Sequence, residues 1–273
     1  MTTTWTPPGV PSDDTRSGAV PGAITFVRYA FPPNYHGACG PPDSQGLFQY
    51  GASAVVDDGL RDLARQFAGA WPYLELIAGA SGIGDPLDHR VVEAYWVGNR
   101  LLDQVGPNSL GDNMDNRFRV HTGRQFANVR EAVAAGGMPH HSYHVFCIYP
   151  WVGLLGNDRR YEQALMVLDR CRVRWGQVHQ VRADQLVVQS QPLLFEQGRL
   201  LLGAPQLETV ERTLDGVGLV PEFAVGDWVS MHWEWVCDRL TPRQLAALRH
   251  YTRLHLEVVN DRLDHPGALT ALG

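Results

Sequence analysis

The stretch Pro139 to Trp151 concentrates residues able to do chemistry: His140, His141, His144 and Cys147 fall within eight positions. Imidazole nitrogen and thiolate sulfur are ligands for zinc and iron. His140 and His144 are four apart, His141 and His144 three apart, and Cys147 is three further on. On a helix either histidine pair would share a face, as metal-binding histidines require. Two more donors, His36 and Cys39, lie in the Pro- and Gly-rich stretch from Phe31 to Asp43. The candidate metal ligands are therefore Cys39, His140, His141, His144 and Cys147, with His36 as a further donor. Their spacing matches no fixed metal signature. The same residues also read as hydrogen-bonded core histidines and a small buried thiol.

Glu75 and Glu93 are candidate catalytic acids, because each sits among apolar neighbours. Burial would raise their pKa and suit them to general acid–base work, or they could join histidines as iron ligands. They also read as the polar face of a helix, paired with Arg90 or Arg100. Gly79-Ala-Ser-Gly-Ile-Gly84 resembles a phosphate loop only superficially. It follows a helix rather than a strand, so it reads as a helix terminator. Cys171, flanked by Arg170 and Arg172, is a candidate cofactor-binding thiol with a lowered pKa. His232 and Cys237 alternate with aromatic residues and read as structural positions of a strand.

The chain as a whole limits these options. Its 273 residues carry a formal net charge of −6 and 44% hydrophobic residues, enough for a sizeable core and without the basic field that nucleic acid demands. All 23 basic residues are arginine, so Schiff-base, pyridoxal-lysine and Walker-lysine chemistry are excluded. The longest apolar run, Val145 to Leu155, contains Pro150 and is too short to span a bilayer, which takes about 20 residues. The N-terminus lacks a basic-then-apolar leader. A cytoplasmic protein with reduced cysteines is the expectation.

Helical periodicity dominates from Ser44 to Asn108. Leu60, Leu63, Phe67 and Trp71 mark one face, Pro72 opens a second helix and Asp85-Pro86 a third. Residues 21–43 read as irregular, since four prolines and two glycines from 31 to 43 oppose a helix. A polar loop over 106–116, a helix over 124–135, and another from Asn157-Asp158 to about Arg170 follow. Beyond Cys171 short β-like runs appear: 173–181, 186–189, 192–195, 200–202 and 228–233. Thr241-Pro242 then opens a final amphipathic helix. The fold class is α+β. A mainly helical domain (21–168) precedes a small β-barrel of HypC/OB-like type with a C-terminal helix (169–262); a disordered tail covers 1–20, and 263–273 is a C-terminal tail.

The C-terminal segment carries two short motifs. Cys171-Arg-Val-Arg-Trp-Gly-Gln-Val178 opens it, and Val225-Gly-Asp-Trp-Val-Ser-Met-His232 closes it before Asp238-Arg-Leu240 and the last helix. In these it resembles the HypC-type chaperones of NiFe hydrogenase maturation, over about a third of the chain. The resemblance implies that Cys171 helps carry iron with its cyanide and carbonyl ligands to the hydrogenase large-subunit precursor. The family's cysteine follows the initiator methionine, whereas Cys171 is internal, and Arg174 and Trp175 replace an apolar residue and proline. Residues 25–155 resemble an uncharacterised bacterial family loosely associated with hydrogenase gene clusters. That likeness rests on Tyr29-Ala-Phe-Pro-Pro-Asn34, Ala70-Trp-Pro-Tyr-Leu-Glu-Leu-Ile77 and Asp85-Pro-Leu-Asp-His-Arg-Val-Val-Glu-Ala-Tyr-Trp96.

The first expectation is therefore an accessory protein for NiFe hydrogenase, docking on the large subunit or other maturation proteins. The alternatives are a non-haem iron or zinc metalloenzyme with its site in the helical domain, and a metal-free interaction module. Iron is the expected metal and zinc the alternative. No nucleic-acid partner is expected.

Overall fold

The computed structural model describes residues 20–107, 109–111, 136–156 and 159–264. The helix expected over 124–135, the Asn157-Asp158 cap, most of the 106–116 loop and nearly all of both tails lie outside these residues. Six helices position the N-terminal side of the site: α1 (Gly22–Tyr35), α2 (Ser44–Ser53), α3 (Asp58–Arg65), α4 (Trp71–Ala80), α5 (His89–Trp96) and the single turn α6 (His141–Tyr143). α6 runs directly into a π-helical turn, His144–Ile148. Then follow α7 (Tyr161–Cys171), nine strands, and α8 (Pro242–Asp264).

α1 corrects the expectation of an irregular segment over 21–35. Its residues Ala23, Ile24, Phe26, Val27, Tyr29, Ala30 and Phe31 are all buried, so it is covered on nearly every side and forms the middle of the core, with Arg28 as its one buried charge. Pro32 and Pro33 sit in its last turn, where each costs one backbone hydrogen bond without ending the helix before Tyr35. Asn34 then fastens the loop beyond by donating from Nδ2 to the Cys39 carbonyl at 2.9 Å and the Pro41 carbonyl at 2.6 Å.

The strands are β1 (Arg174–Val181), β2 (Gln185–Ser190), β3 (Leu193–Glu196), β4 (Arg199–Leu202), β5 (Gln206–Glu211), β6 (Thr213–Leu214), β7 (Val217–Gly218), β8 (Trp228–His232) and β9 (Trp235–Arg239). Five of them pair in a cyclic order, β1-β2-β5-β9-β8 and back to β1. The β5–β9 seam is one parallel pair, Glu211 opposite Trp235, while the other contacts are antiparallel ladders. Val178, Leu186, Val188, Val210, Val229, Met231 and Val236 form a small core of their own. β3 with β4, and β6 with β7, form separate hairpins.

The larger core runs from α1 through α8 and takes in Trp175, Leu193, Leu200, Trp235 and Cys237 from the strand segment. Polar contacts tie the same elements. Arg28 on α1 reaches Asp238 of β9 at 3.0 Å, and the Tyr29 hydroxyl lies 2.8 Å from Ser230 Oγ of β8. Strands and helices thus pack on one another through α1. Among the described residues no helix is long and apolar enough to cross a membrane.

Candidate metal centre

Three elements deliver three donors to one point. His141 comes from α6, Cys171 from the last residue of α7, and His232 from the end of β8; their ligand atoms all lie within 4.8 Å of one another. All three side chains are buried. The junction is held by backbone. The Trp233 N–H donates to the Arg170 carbonyl at 2.7 Å, which docks the tip of the β8–β9 hairpin on the end of α7. Trp233 takes φ +53 there, the left-handed conformation of a tight two-residue turn.

The prolines of α1 have a role at this site. In a helix the N–H of residue 33 would bond the carbonyl of residue 29, and proline has no N–H. The Tyr29 carbonyl accepts instead from His232 Nδ1 at 2.7 Å. That bond fixes the ring proton on Nδ1 and leaves Nε2 as the lone-pair nitrogen. Nε2 is buried and makes no hydrogen bond of ordinary geometry, the Cys171 backbone being its nearest polar neighbour. A histidine oriented by a backbone carbonyl with its other nitrogen bare is the usual arrangement of a metal ligand.

His141, by contrast, is held at both ring nitrogens. Nδ1 lies 3.1 Å from the Tyr95 hydroxyl, which itself donates to the Gly69 carbonyl at 2.8 Å, and Nε2 lies 2.8 Å from the Cys171 carbonyl. Burial holds the imidazole well below its ordinary 6.5, so it is neutral and carries one proton. A carbonyl can only accept, so at 2.8 Å from the Cys171 carbonyl it is Nε2 that carries the proton; ligating a cation through Nε2 requires that proton to move to Nδ1, where the Tyr95 oxygen can accept it.

The donors line a cavity of about 160 Å³ whose other walls include Phe67, Trp96, Tyr149, Trp151 and Trp233. Among the described residues no carboxylate lines it. The Trp96 ring lies 4.6 Å from His141 and 5.5 Å from His232, centroid to centroid. In these surroundings desolvation raises the Cys171 thiol well above its ordinary value. This reverses the expected lowering by Arg170 and Arg172. Arg170 pairs with Glu234, and Arg172 turns to Asp169 and the Gln191 carbonyl. A thiol in this position stays protonated until a cation replaces the proton.

The remaining candidates are placed as follows. Cys39 lines the same cavity but is outside the 4.8 Å group. His144 also lines it, with Nδ1 3.1 Å from the Tyr73 hydroxyl. His140 does not line the cavity: it is the cap of α6, its Nδ1 accepting from the Ser142 N–H at 3.1 Å. Ser142 in turn lies 2.7 Å from His255 Nδ1 on α8. Cys147 is buried in the π-helical turn away from the cavity, its carbonyl accepting from Arg262 at 3.0 Å. His36 stacks on Trp233 near the surface and pairs with Glu234 at 3.2 Å. Glu93 joins Asn99 at 3.0 Å and Gln244 at 2.8 Å, bracing α5 against α8. Glu75 lines a separate surface depression with Ala80, Ile83 and Pro86. Neither glutamate meets the histidines. Cys237 is structural, its thiol 3.8 Å from the Trp235 carbonyl.

His232 is the functional candidate that the strand alternation disguised, although it is also the last residue of the closing motif Val225 to His232. Together the fold and site define an α+β protein with a buried two-histidine, one-cysteine cluster beside an apolar cavity. Residues 18–266 match the family described as a family of unknown function, DUF6390, and the chain belongs to it. The match spans the helices and the strands alike. No curated protein and no solved structure matches the chain.

The buried histidines make a testable feature of the fold. Desolvation lowers His140 to about 3 and both His144 and His232 to about 4, and it holds His141 and His255 low as well. In the unfolded chain these groups take up protons near 6.5, so between there and pH 4 the unfolded state binds more protons. Stability therefore falls as pH drops through that window, each histidine contributing up to ~1.4 kcal/mol per pH unit. Thermal melts of metal-free protein are expected to be level above pH 7 and to drop steeply from pH 6.5 to 5. A level profile down to pH 5 would contradict the burial of these rings.

Proposed function

We propose that the chain is an accessory protein of NiFe hydrogenase assembly that holds a transition-metal ion, iron in the first instance, on His141, Cys171 and His232. The observation that carries this reading is the convergence of Cys171 and His232. These two residues open and close the HypC-like segment and stand together at one point, with His141 as a third donor. The cyclic strand order followed by a C-terminal helix supports the small-barrel comparison. Thiolate is a soft, strongly donating anion suited to low-spin iron, and imidazole suits both iron and zinc. The largely apolar cavity beside the donors leaves room for non-protein ligands on the ion.

One feature favours a second reading. Three protein donors with free space beside them are also the pattern of a catalytic zinc or iron site. The test is elemental analysis and infrared spectroscopy of protein purified without air from its native host, wild type beside Cys171→Ala. Iron with cyanide and carbonyl absorptions, lost in the variant, is the expected result. Metal without those absorptions, combined with turnover in the absence of a partner, would move the assignment to a metalloenzyme. Wild-type protein that neither carries nor takes up metal would overturn both.

A further inference from the structure

Building on the metal-holding reading, we propose that Cys39 supplies a fourth ligand, so that the loaded site is a two-histidine, two-thiolate centre for a divalent cation. Charge carries the argument. A divalent ion that brings no anionic ligand of its own, bound by two neutral imidazoles and the Cys171 thiolate, has net charge +1. The cavity around it is largely apolar, and among the described residues no carboxylate lines it. An uncompensated buried charge is costly, and a second thiolate brings the centre to neutrality. Each thiol gives its proton to solvent as its sulfur binds the metal.

Cys39 is placed for this. It lines the same cavity as His141, Cys171 and His232, outside their 4.8 Å group, and stands near enough for a charge on its sulfur to be felt at Cys171. Its surroundings push the thiol up to about 12, through desolvation. Of the other polar groups of the wall, the Tyr95 hydroxyl serves Gly69 and His141, His144 Nδ1 meets Tyr73, and the indole nitrogens of Trp96 and Trp233 are donors only, with no lone pair for a metal. The bare Nε2 of His232 is the independent sign that a ligand belongs in this space.

The loop carrying Cys39 is preorganised. Asn34 holds the Cys39 and Pro41 carbonyls, and Gly37 and Gly40 take φ +66 and +83 on either side. With the backbone so fixed, ligation requires Sγ to swing toward the other donors about χ1. A ligand that enters by side-chain rotation also leaves by it. That gives the site a closed four-donor state and an open three-donor state next to the cavity.

The test uses cobalt(II) as the probe on the full chain. One equivalent is expected to give a tetrahedral spectrum with thiolate-to-cobalt charge transfer, and Cys39→Ser is expected to lower that absorbance by about half while cobalt remains bound, because one of two sulfur ligands is gone. X-ray absorption of the wild-type zinc form provides a count that needs no variant: two sulfurs at about 2.3 Å are expected. One sulfur, or a charge-transfer band unchanged in Cys39→Ser, would overturn the Cys39 assignment and leave the three-donor site standing. Wild-type protein that binds neither cobalt nor zinc would overturn the metal-holding reading itself.

Discussion

Cys171→Ala is expected to abolish stoichiometric metal binding, and His232→Ala to do the same, while His140→Ala and Cys147→Ala retain it. The contrast follows from position. Cys171 and His232 meet within 4.8 Å of His141, whereas His140 caps α6 and Cys147 faces away from the cavity. Losing a partner outside the coordination sphere typically costs ~10–100-fold in metal affinity, and losing a ligand costs more. The difference also shows as stability. A ligand present at about 1,000 times its Kd stabilises the native state by ~4 kcal/mol, which for a chain of this size raises Tm by roughly 8–16 °C. Wild type, His140→Ala and Cys147→Ala should each show that rise on adding zinc, and Cys171→Ala should show none. Truncating one buried thiol leaves a small cavity, so the apo form of Cys171→Ala should still fold. Equal zinc-induced shifts in wild type and Cys171→Ala would remove Cys171 from the site.

Much of the strand segment was legible because its signals are local. Alternation predicts runs at 173–181, 186–189 and 200–202, which match β1, β2 and β4 to within a few residues. Thr241-Pro242 predicts the start of α8 to the residue. β5 and β9 were not read as strands: Gln206–Glu211 is largely exposed and polar, and Trp235–Arg239 follows β8 after only two residues. α1 was hidden by Pro32 and Pro33, since proline's local rule says to end a helix. Here burial on nearly every side outweighs two lost hydrogen bonds at the last turn.

The site was less legible for a physical reason. Its three donors come from a helix turn, a helix end and a strand end, so no spacing in sequence encodes them. Spacing pointed instead to His140 with His144, which would share a face only on a continuous α-helix. α6 lasts a single turn before the backbone widens to π geometry, with the Tyr149 N–H on the His144 carbonyl at 3.0 Å. The sign of the Cys171 shift was misread for a related reason. Arg170 and Arg172 are its neighbours in sequence, but their guanidinium groups are drawn to Glu234 and Asp169.

Gly98→Ala is expected to give the largest loss of stability among single-methyl additions near the site, about 2–5 kcal/mol. Gly98 takes φ +100, which costs a side-chain-bearing residue ~1–2 kcal/mol. A Cβ there would stand 2.1 Å from Cδ2 of Tyr251, a ring atom of a buried side chain rather than a flexible tip. Tyr251 cannot simply yield: its hydroxyl donates to the Asn99 carbonyl at 3.2 Å, and its ring stacks on His140 at 5.2 Å. Overpacking of this kind adds ~1–3 kcal/mol. The combined effect should lower Tm by roughly 10 °C, measured by calorimetry at fixed pH without metal. Gly79→Ala is the matched control. It lies inside α4 with nothing within 4 Å of the added methyl, so it should be neutral or stabilise by up to ~1 kcal/mol. Because Tyr251 supports the residue that caps α6, Gly98→Ala should also weaken zinc binding through His141, and Gly79→Ala should not. A Gly98→Ala protein with wild-type Tm and wild-type zinc affinity would mean that α8 does not hold the α6 turn in place.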